Sequence, residues 1–149
     1  MQNRDMADSA SETITIQAPA DRVWAVAANI DAYPSWVHDV KDVNVRSVDD
    51  QGRPTEVEFR ASALGRSTHY VLRYDYTNAP NQLSWTMVSG DIQRSIDGSY
   101  TLNSLGESVT EVRYDLEIDL AVPLPGFVKR RAERRILNAV HDMKAVAEA

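Results

Sequence analysis

The chain has 149 residues, 43% hydrophobic and 26% charged, with 16 Lys and Arg against 22 Asp and Glu for a formal net charge of −6. A chain of this length can bury roughly two thirds of its unfolded surface in one domain, and its acidic balance argues against a nucleic-acid binder, because phosphate contact is dominated by Lys and Arg. With no cysteine there can be no disulfide, thiolate nucleophile or cysteine-held metal, which suits a cytoplasmic setting. No apolar run approaches the ~20 residues of a membrane span, and Met1 to Met6 lack the apolar stretch of a secretion signal.

Met1 to Ser11 are small, polar and aperiodic, so residues 1–11 read as a disordered tail and residues 12–149 as a single domain. From Glu12 to Gln17 the alternation places Ile14 and Ile16 on one side, the period of a half-buried strand, which Pro19 ends. Ala20-Asp21 opens a helical stretch with Val23, Val26, Ala27 and Ile30 at three- and four-residue spacing, and Asp21 complements the positive end of its dipole. Asp31 to Val37 forms a second short helix, broken from the first near Asp31 to Tyr33 because a residue before proline disfavours the α region.

Strands separated by turn signals follow. Val40 to Val48 leads into a turn at Asp49 to Pro54, and Thr55 to Leu64 sets Val57, Phe59, Ala61 and Ala63 on one face. Ser67 to Tyr76 presents Tyr70, Leu72, Tyr74 and Tyr76, and the next strand carries Leu83, Trp85 and Met87. Ile92 to Leu102 contains Gly98, expected to mark a bulge or bend. The clearest alternation runs from Val109 to Val122, with Val112, Tyr114, Leu116, Ile118 and Leu120 set against charged neighbours. Pro123-Leu124-Pro125-Gly126 then breaks the strand. Phe127 to Glu148 places Val128, Ala132, Ile136, Ala139, Val140, Met143 and Val146 on one stripe of a long terminal helix.

The implied class is α+β: a curved antiparallel sheet of about seven strands wrapped around the long C-terminal helix, with two short helices between strands 1 and 2. In this order the sequence resembles the START-like (SRPBCC) helix-grip superfamily, which includes StAR-related lipid-transfer domains, the birch-pollen allergen fold and the polyketide cyclase/dehydrase group. The carriers are Ala18-Pro19-Ala20-Asp21-Arg22-Val23-Trp24, Ile30-Asp31-Ala32-Tyr33-Pro34-Ser35-Trp36-Val37, Leu83-Ser84-Trp85, Gly98-Ser99-Tyr100, Thr110-Glu111-Val112 and Pro123-Leu124-Pro125-Gly126-Phe127-Val128. The resemblance implies a ligand cavity between the sheet and the last helix. It implies no reaction, since one fold hosts many functions.

Catalytic signatures are absent: there is no nucleophile elbow, phosphate loop, zinc-binding helix motif or dinucleotide fingerprint. His38, His69 and His141 form no pair at metal-ligand spacing, so neither metal nor cofactor is expected. His38 beside Asp39 near the expected cavity mouth invites a general-base reading, which a solvated histidine at a helix end outweighs. No catalytic residue is assigned. Strand phase and the resemblance together nominate Trp24, Tyr33, Trp36, Phe59, Tyr70, Leu72, Tyr74, Trp85, Met87, Tyr100, Tyr114, Leu116, Phe127, Arg131 and Ile136 as the cavity lining. Core packing alone accounts for any one of these aromatics, yet a face holding Tyr70, Tyr74, Tyr100 and Tyr114 is too polar for a dry core.

The main charge anomaly is Lys129 to Arg135, where cations early in a helix oppose its dipole. It reads as a solvated face, as a source of an Arg131 or Arg135 side chain reaching a ligand oxygen, or as a transient docking patch for a membrane surface or an acidic protein. The leading functional reading is binding or transport of a hydrophobic small molecule, such as a lipid, quinone or polyketide-like aromatic, by a monomer or homodimer. A cyclase/dehydratase acting on a polyketide-like substrate and a protein-interaction module are the alternatives.

Overall fold

The computed structural model describes residues 8–63, 65–121 and 123–149. Strand β1 (Asp8–Ile16) leads to helix α1 (Ala20–Ala28), a 3-10 turn (Ile30–Ala32) and the short helix α2 (Tyr33–Trp36). Strands β2 (Val40–Val48), β3 (Pro54–Ala63), β4 (Arg66–Asp75), β5 (Gln82–Gly90), β6 (Gln93–Gly106) and β7 (Val109–Leu120) follow, and helices α3 (Gly126–Leu137) and α4 (Ala139–Glu148) close the chain. All seven strands form one antiparallel sheet ordered β1-β7-β6-β5-β4-β3-β2. The sheet curves around the terminal helices, which is the helix-grip fold.

Local chemistry explains each element. In β7, Thr110, Val112, Tyr114 and Leu116 are buried while Glu111, Arg113 and Asp115 between them are half-buried or exposed, as a sheet with one wet face requires. The buried Thr110 hydroxyl donates to the Ala18 carbonyl at 2.8 Å and so seats the β1–α1 connection. Helix α1 starts after Pro19, whose carbonyl takes the Val23 amide at 3.1 Å, and buries Val23 and Ala27 one turn apart. Asp21 in its first turn stands in for the missing side-chain cap.

Four sequence expectations need correction. Strand β1 starts at Asp8 rather than Glu12, because Asp8 to Ser11 pair residue by residue with Ile118 to Asp115; ladder hydrogen bonds order a segment that has no hydrophobic alternation of its own. Residues 1–7, and the strand ends expected at Leu64 and Val122, lie outside the described residues. Gly98 marks no bulge: β5 and β6 stay in register across it, with Trp85 directly opposite. A Cβ at Gly98 would lie 2.5 Å from the Trp85 indole, so the glycine is there to let that ring lie flat on the strand.

The terminal helix is not continuous. A turn at Asn138 divides it, and α4 buries Ala139, Val140, Met143 and Ala147. Val146, expected on the inward stripe, is 38% exposed. At 3.6 residues per turn, the seventh residue after Val140 returns to the same face and the sixth does not.

Substituting Gly98→Ala should destabilise the protein by about 1–3 kcal/mol through overpacking against Trp85, lowering Tm by roughly 2–4 °C per kcal/mol. Gly106→Ala, where an added Cβ meets nothing within 4 Å, should melt like the parent. Equal melting temperatures for the two variants in a thermal denaturation experiment would refute the close approach.

Candidate functional site

A cavity of about 450 Å³ lies between the concave face of the sheet and the terminal helices. Its floor is a continuous run of aromatic rings that crosses the sheet from α2 to β7. Tyr33 stacks on Phe59 with centroids 6.4 Å apart, Phe59 on Tyr70 at 5.4 Å, and Tyr74 leans on Phe59 at 6.5 Å. Trp85 continues the run at 5.8 Å from Tyr74 and 5.1 Å from Tyr100, and Tyr100 meets Tyr114 at 4.6 Å. Such tilted and offset contacts rigidify the floor beyond what buried area alone provides.

The hydroxyls on this floor are used unequally. Tyr33 donates to the Ala27 carbonyl, and Tyr100 and Tyr114 share a side-chain hydrogen bond. Among the described residues no protein group pairs with the hydroxyls of Tyr70 and Tyr74, which open onto the cavity instead. Burial pushes the acidity constants of Tyr33, Tyr74, Tyr100 and Tyr114 far up, and burial followed by the Asp39 carboxylate pushes Tyr70 up to about 12. These phenols are neutral hydrogen-bond donors across the physiological range, not bases.

Polar groups gather at the rim and ceiling. Arg135 clasps Asp39 bidentately, Nε to Oδ2 at 2.7 Å and the terminal nitrogen to Oδ1 at 2.9 Å, joining α3 to the α2–β2 connection across the mouth. This pairing raises the Arg135 pKa further, chiefly through the hydrogen bonds. At the β4–β6 end, Gln93 Nε2 donates to Thr68 Oγ1 at 3.1 Å, and the Thr68 hydroxyl donates to Asp91. Burial works to raise the Asp91 pKa, but hydrogen bonds from Thr68 and the His69 and Ile92 amides outweigh it and hold the carboxyl below the usual range. The ceiling adds Lys129, Glu133, Asn138 and Asp142 between Ala132, Ile136 and Ala139.

Ten of the nominated residues line this cavity: Tyr33, Phe59, Tyr70, Leu72, Tyr74, Trp85, Tyr100, Tyr114, Leu116 and Ile136. Five do not. Trp24 is half-buried on α1 and packs on the outside of the core, and Trp36 stands edge-on behind Tyr33 at 5.3 Å. Met87 is half-buried on β5 opposite Leu72 but does not line the cavity, and its sulfur lies beside Gly90 instead. Phe127 is 58% exposed in the first turn of α3, and Arg131 points to solvent while Arg135, one turn later, reaches the rim. His38 is exposed at the rim. The wall also holds Asp39, Thr68, Gln93, Asn138 and Asp142, none of them nominated from sequence. Asp142 immediately precedes Met143 on the inward stripe, the one signal that could have flagged it.

Among the described residues no group of three or more His, Asp or Glu could hold a metal ion, and no helix is long and apolar enough to cross a membrane. The arrangement can enclose a flat apolar molecule, offer neutral phenols to its oxygens, and set carboxylate and amide groups at its edge.

Comparisons with known proteins agree with this geometry. Residues 7–148 match the profile of the family described as polyketide cyclase / dehydrase and lipid transport. A START superfamily protein from Mycobacterium smegmatis superposes with a TM-score of 0.86 at 21% identity, over 94% of this chain and 97% of that one. The Zhui aromatase/cyclase from Streptomyces sp. R1128 gives 0.82 at 16% identity, over 95% and 94% of the two chains. The major latex-like protein 151 of Panax ginseng gives 0.74 at 12% identity, over 97% and 99%. At these identities the likeness is one of fold. No curated protein matches the sequence.

The six tyrosines make a testable set. Tyr76, buried and near Asp49, is also raised to about 12. A tyrosine whose folded pKa lies above its ordinary 10.0 contributes stability that is complete below pH 10 and is lost as pH climbs toward the folded value. Phenolate absorbance of the native protein should therefore show no midpoint near 10, and ionisation should coincide with alkaline unfolding at about pH 12 or above. A tyrosine titrating near 10 with tertiary structure intact would contradict the packing described.

Proposed function

This chain belongs to the polyketide cyclase / dehydrase and lipid transport family, and from that premise we propose that it binds or carries a hydrophobic small molecule in the cavity between the sheet and the terminal helices. One observation carries the reading: an enclosed aromatic space in which the Tyr70 and Tyr74 hydroxyls have no protein partner among the described residues. Hydroxyls that line a cavity without a protein partner are free to donate, and a ligand carbonyl or hydroxyl lying on the rings would accept from both phenols. The ligand class this supports is a flat aromatic, quinone or isoprenoid-like molecule with at least one oxygen, handled in the cytoplasm. The outward cations between Lys129 and Arg135 suit transient contact with an anionic surface.

A second reading, cyclisation and dehydration of a polyketide-like chain, draws on the likeness to an aromatase/cyclase over nearly the whole chain. In it the same cavity would fold the chain, and neutral Tyr70 and Tyr74 would polarise a carbonyl oxygen by hydrogen bonding. The two readings share the site and differ in turnover.

Native mass spectrometry of the purified protein, followed by denaturation and identification of the released compound, should find an apolar ligand at stoichiometric ratio. Tyr70→Phe or Tyr74→Phe should weaken its binding about five- to tenfold, the worth of one hydrogen bond of about 1 kcal/mol. Tyr33→Phe, which frees the Ala27 carbonyl, should lower Tm instead. The proposal fails if nothing co-purifies and quinones, fatty acids and polycyclic aromatics all leave Tm unmoved. Conversion of a polyketide-like chain by the parent protein would decide for the second reading.

A further inference from the structure

The charges facing the cavity do not cancel. Asp39, Glu133 and Asp142 face it against Lys129 and Arg135. Arg135 is engaged bidentately by Asp39, and Lys129 and Glu133 stand one turn apart on α3 with opposite sign. Asp142 remains. It sits half-buried in the first turn of α4 with its side chain on the cavity wall, and among the described residues no ion pair or side-chain hydrogen bond reaches it. The neighbouring His141 points away, its Nε2 3.3 Å from Glu12, and His38 is at the exposed rim.

The Trp85, Tyr100 and Tyr114 rings line the same cavity as Asp142 and are suited to a positive charge. Burial dominates the upward shift of Tyr100, and the Asp142 charge is among the smaller contributions that add to it. Tyr100 in turn contacts Tyr114 at 4.6 Å and Trp85 at 5.1 Å. Electron-rich ring faces attract cations, indole most strongly, and the attraction grows when the site is desolvated. A carboxylate and such a ring cluster in one cavity meet both needs of a buried cation, a counter-charge and a polarisable surface.

We propose that the cavity selects flat apolar ligands that carry a positively charged nitrogen, held between the Asp142 carboxylate and the Trp85, Tyr100 and Tyr114 rings. This rests on the ligand-binding reading and narrows it from any hydrophobic molecule to cationic aromatic amines. An anionic ligand of the same shape is disfavoured, because Asp142 repels it and Arg135 is already held by Asp39.

Three ligands of one shape test the idea at neutral pH: 9-aminoacridine, a cation; acridine, neutral; and acridine-9-carboxylate, an anion. Isothermal titration should show 9-aminoacridine binding roughly tenfold more tightly than acridine, the scale of a desolvated cation–π contact, with the carboxylate weakest. Asp142→Asn should bring the cation to within about twofold of acridine measured on the same variant. Asp142→Glu, which keeps the charge, should retain part of the preference, so a poorly folding Asn variant leaves the test intact. The inference is overturned if the anion binds best, or if the preference for the cation survives Asp142→Asn. Binding of acridine without charge preference would overturn it alone, as would failure of all three acridines to bind when a quinone or fatty acid still raises Tm; the ligand-binding reading falls with it only if those ligands fail too.

Discussion

A seven-stranded sheet with one apolar face has to cover that face, and in this chain the cover is too small. Strands of 9 to 14 residues extend ~30–45 Å, and seven of them side by side span ~29 Å. Against this stand two helices of 12 and 10 residues, ~18 and ~15 Å long and ~10 Å across. Curling brings the sheet edges toward the helices, and α1 fills one end, but apolar surface is left over. The cavity is that remainder, and its position under α3 follows from α1 and β1 having taken α4.

The aromatic floor reconciles stability with an open interior. Each ring on it packs against the next, so the sheet face keeps dense contacts on one side even where nothing fills the other. Gly98 shows how tightly this is set: the strand gives up a side chain so that Trp85 can lie across it and bridge Tyr74 to Tyr100. Tyrosine rather than phenylalanine at Tyr70, Tyr74, Tyr100 and Tyr114 gives the floor four hydroxyls. Burial keeps those hydroxyls protonated.

Much of the sheet was legible because alternation is local. Val112, Tyr114 and Leu116 announce an inward face by their spacing, as do Phe59, Tyr70, Leu72 and Tyr74, and from these the position of the cavity floor follows. The ceiling and rim were less legible, because their partners are remote in the chain. Arg135 meets Asp39 across 96 positions, and no helical period distinguishes it from Arg131, one turn earlier on nearly the same face. Phe127, Trp24 and Trp36 are large aromatics whose placement depends on how short helices approach the sheet, which their spacing does not encode. Asp8 to Ser11 join β1 only because β7 is long enough to receive them. Asp142 hid beside Met143, since one charged residue next to a core position is ordinary on any amphipathic helix.

The break at Asn138 divides the terminal segment into halves with separate allegiances. Helix α4 is bound to the body of the protein: it buries four side chains, Glu148 accepts the Gln17 amide at 2.6 Å, Lys144 reaches the Thr15 carbonyl at 3.1 Å, and Arg22 donates to the Ala149 carbonyl. Helix α3 buries only Leu137 and is joined across the mouth by the Arg135–Asp39 pair. Ala132 and Ile136, which set the height of the ceiling over the floor, therefore belong to the half that carries little of the core. Substitution at those two positions would reshape the chamber while α4, α1 and β1 hold the architecture constant. The shape of the chamber and the retention of the fold are thereby assigned to different stretches of the chain, and a change in one need not endanger the other.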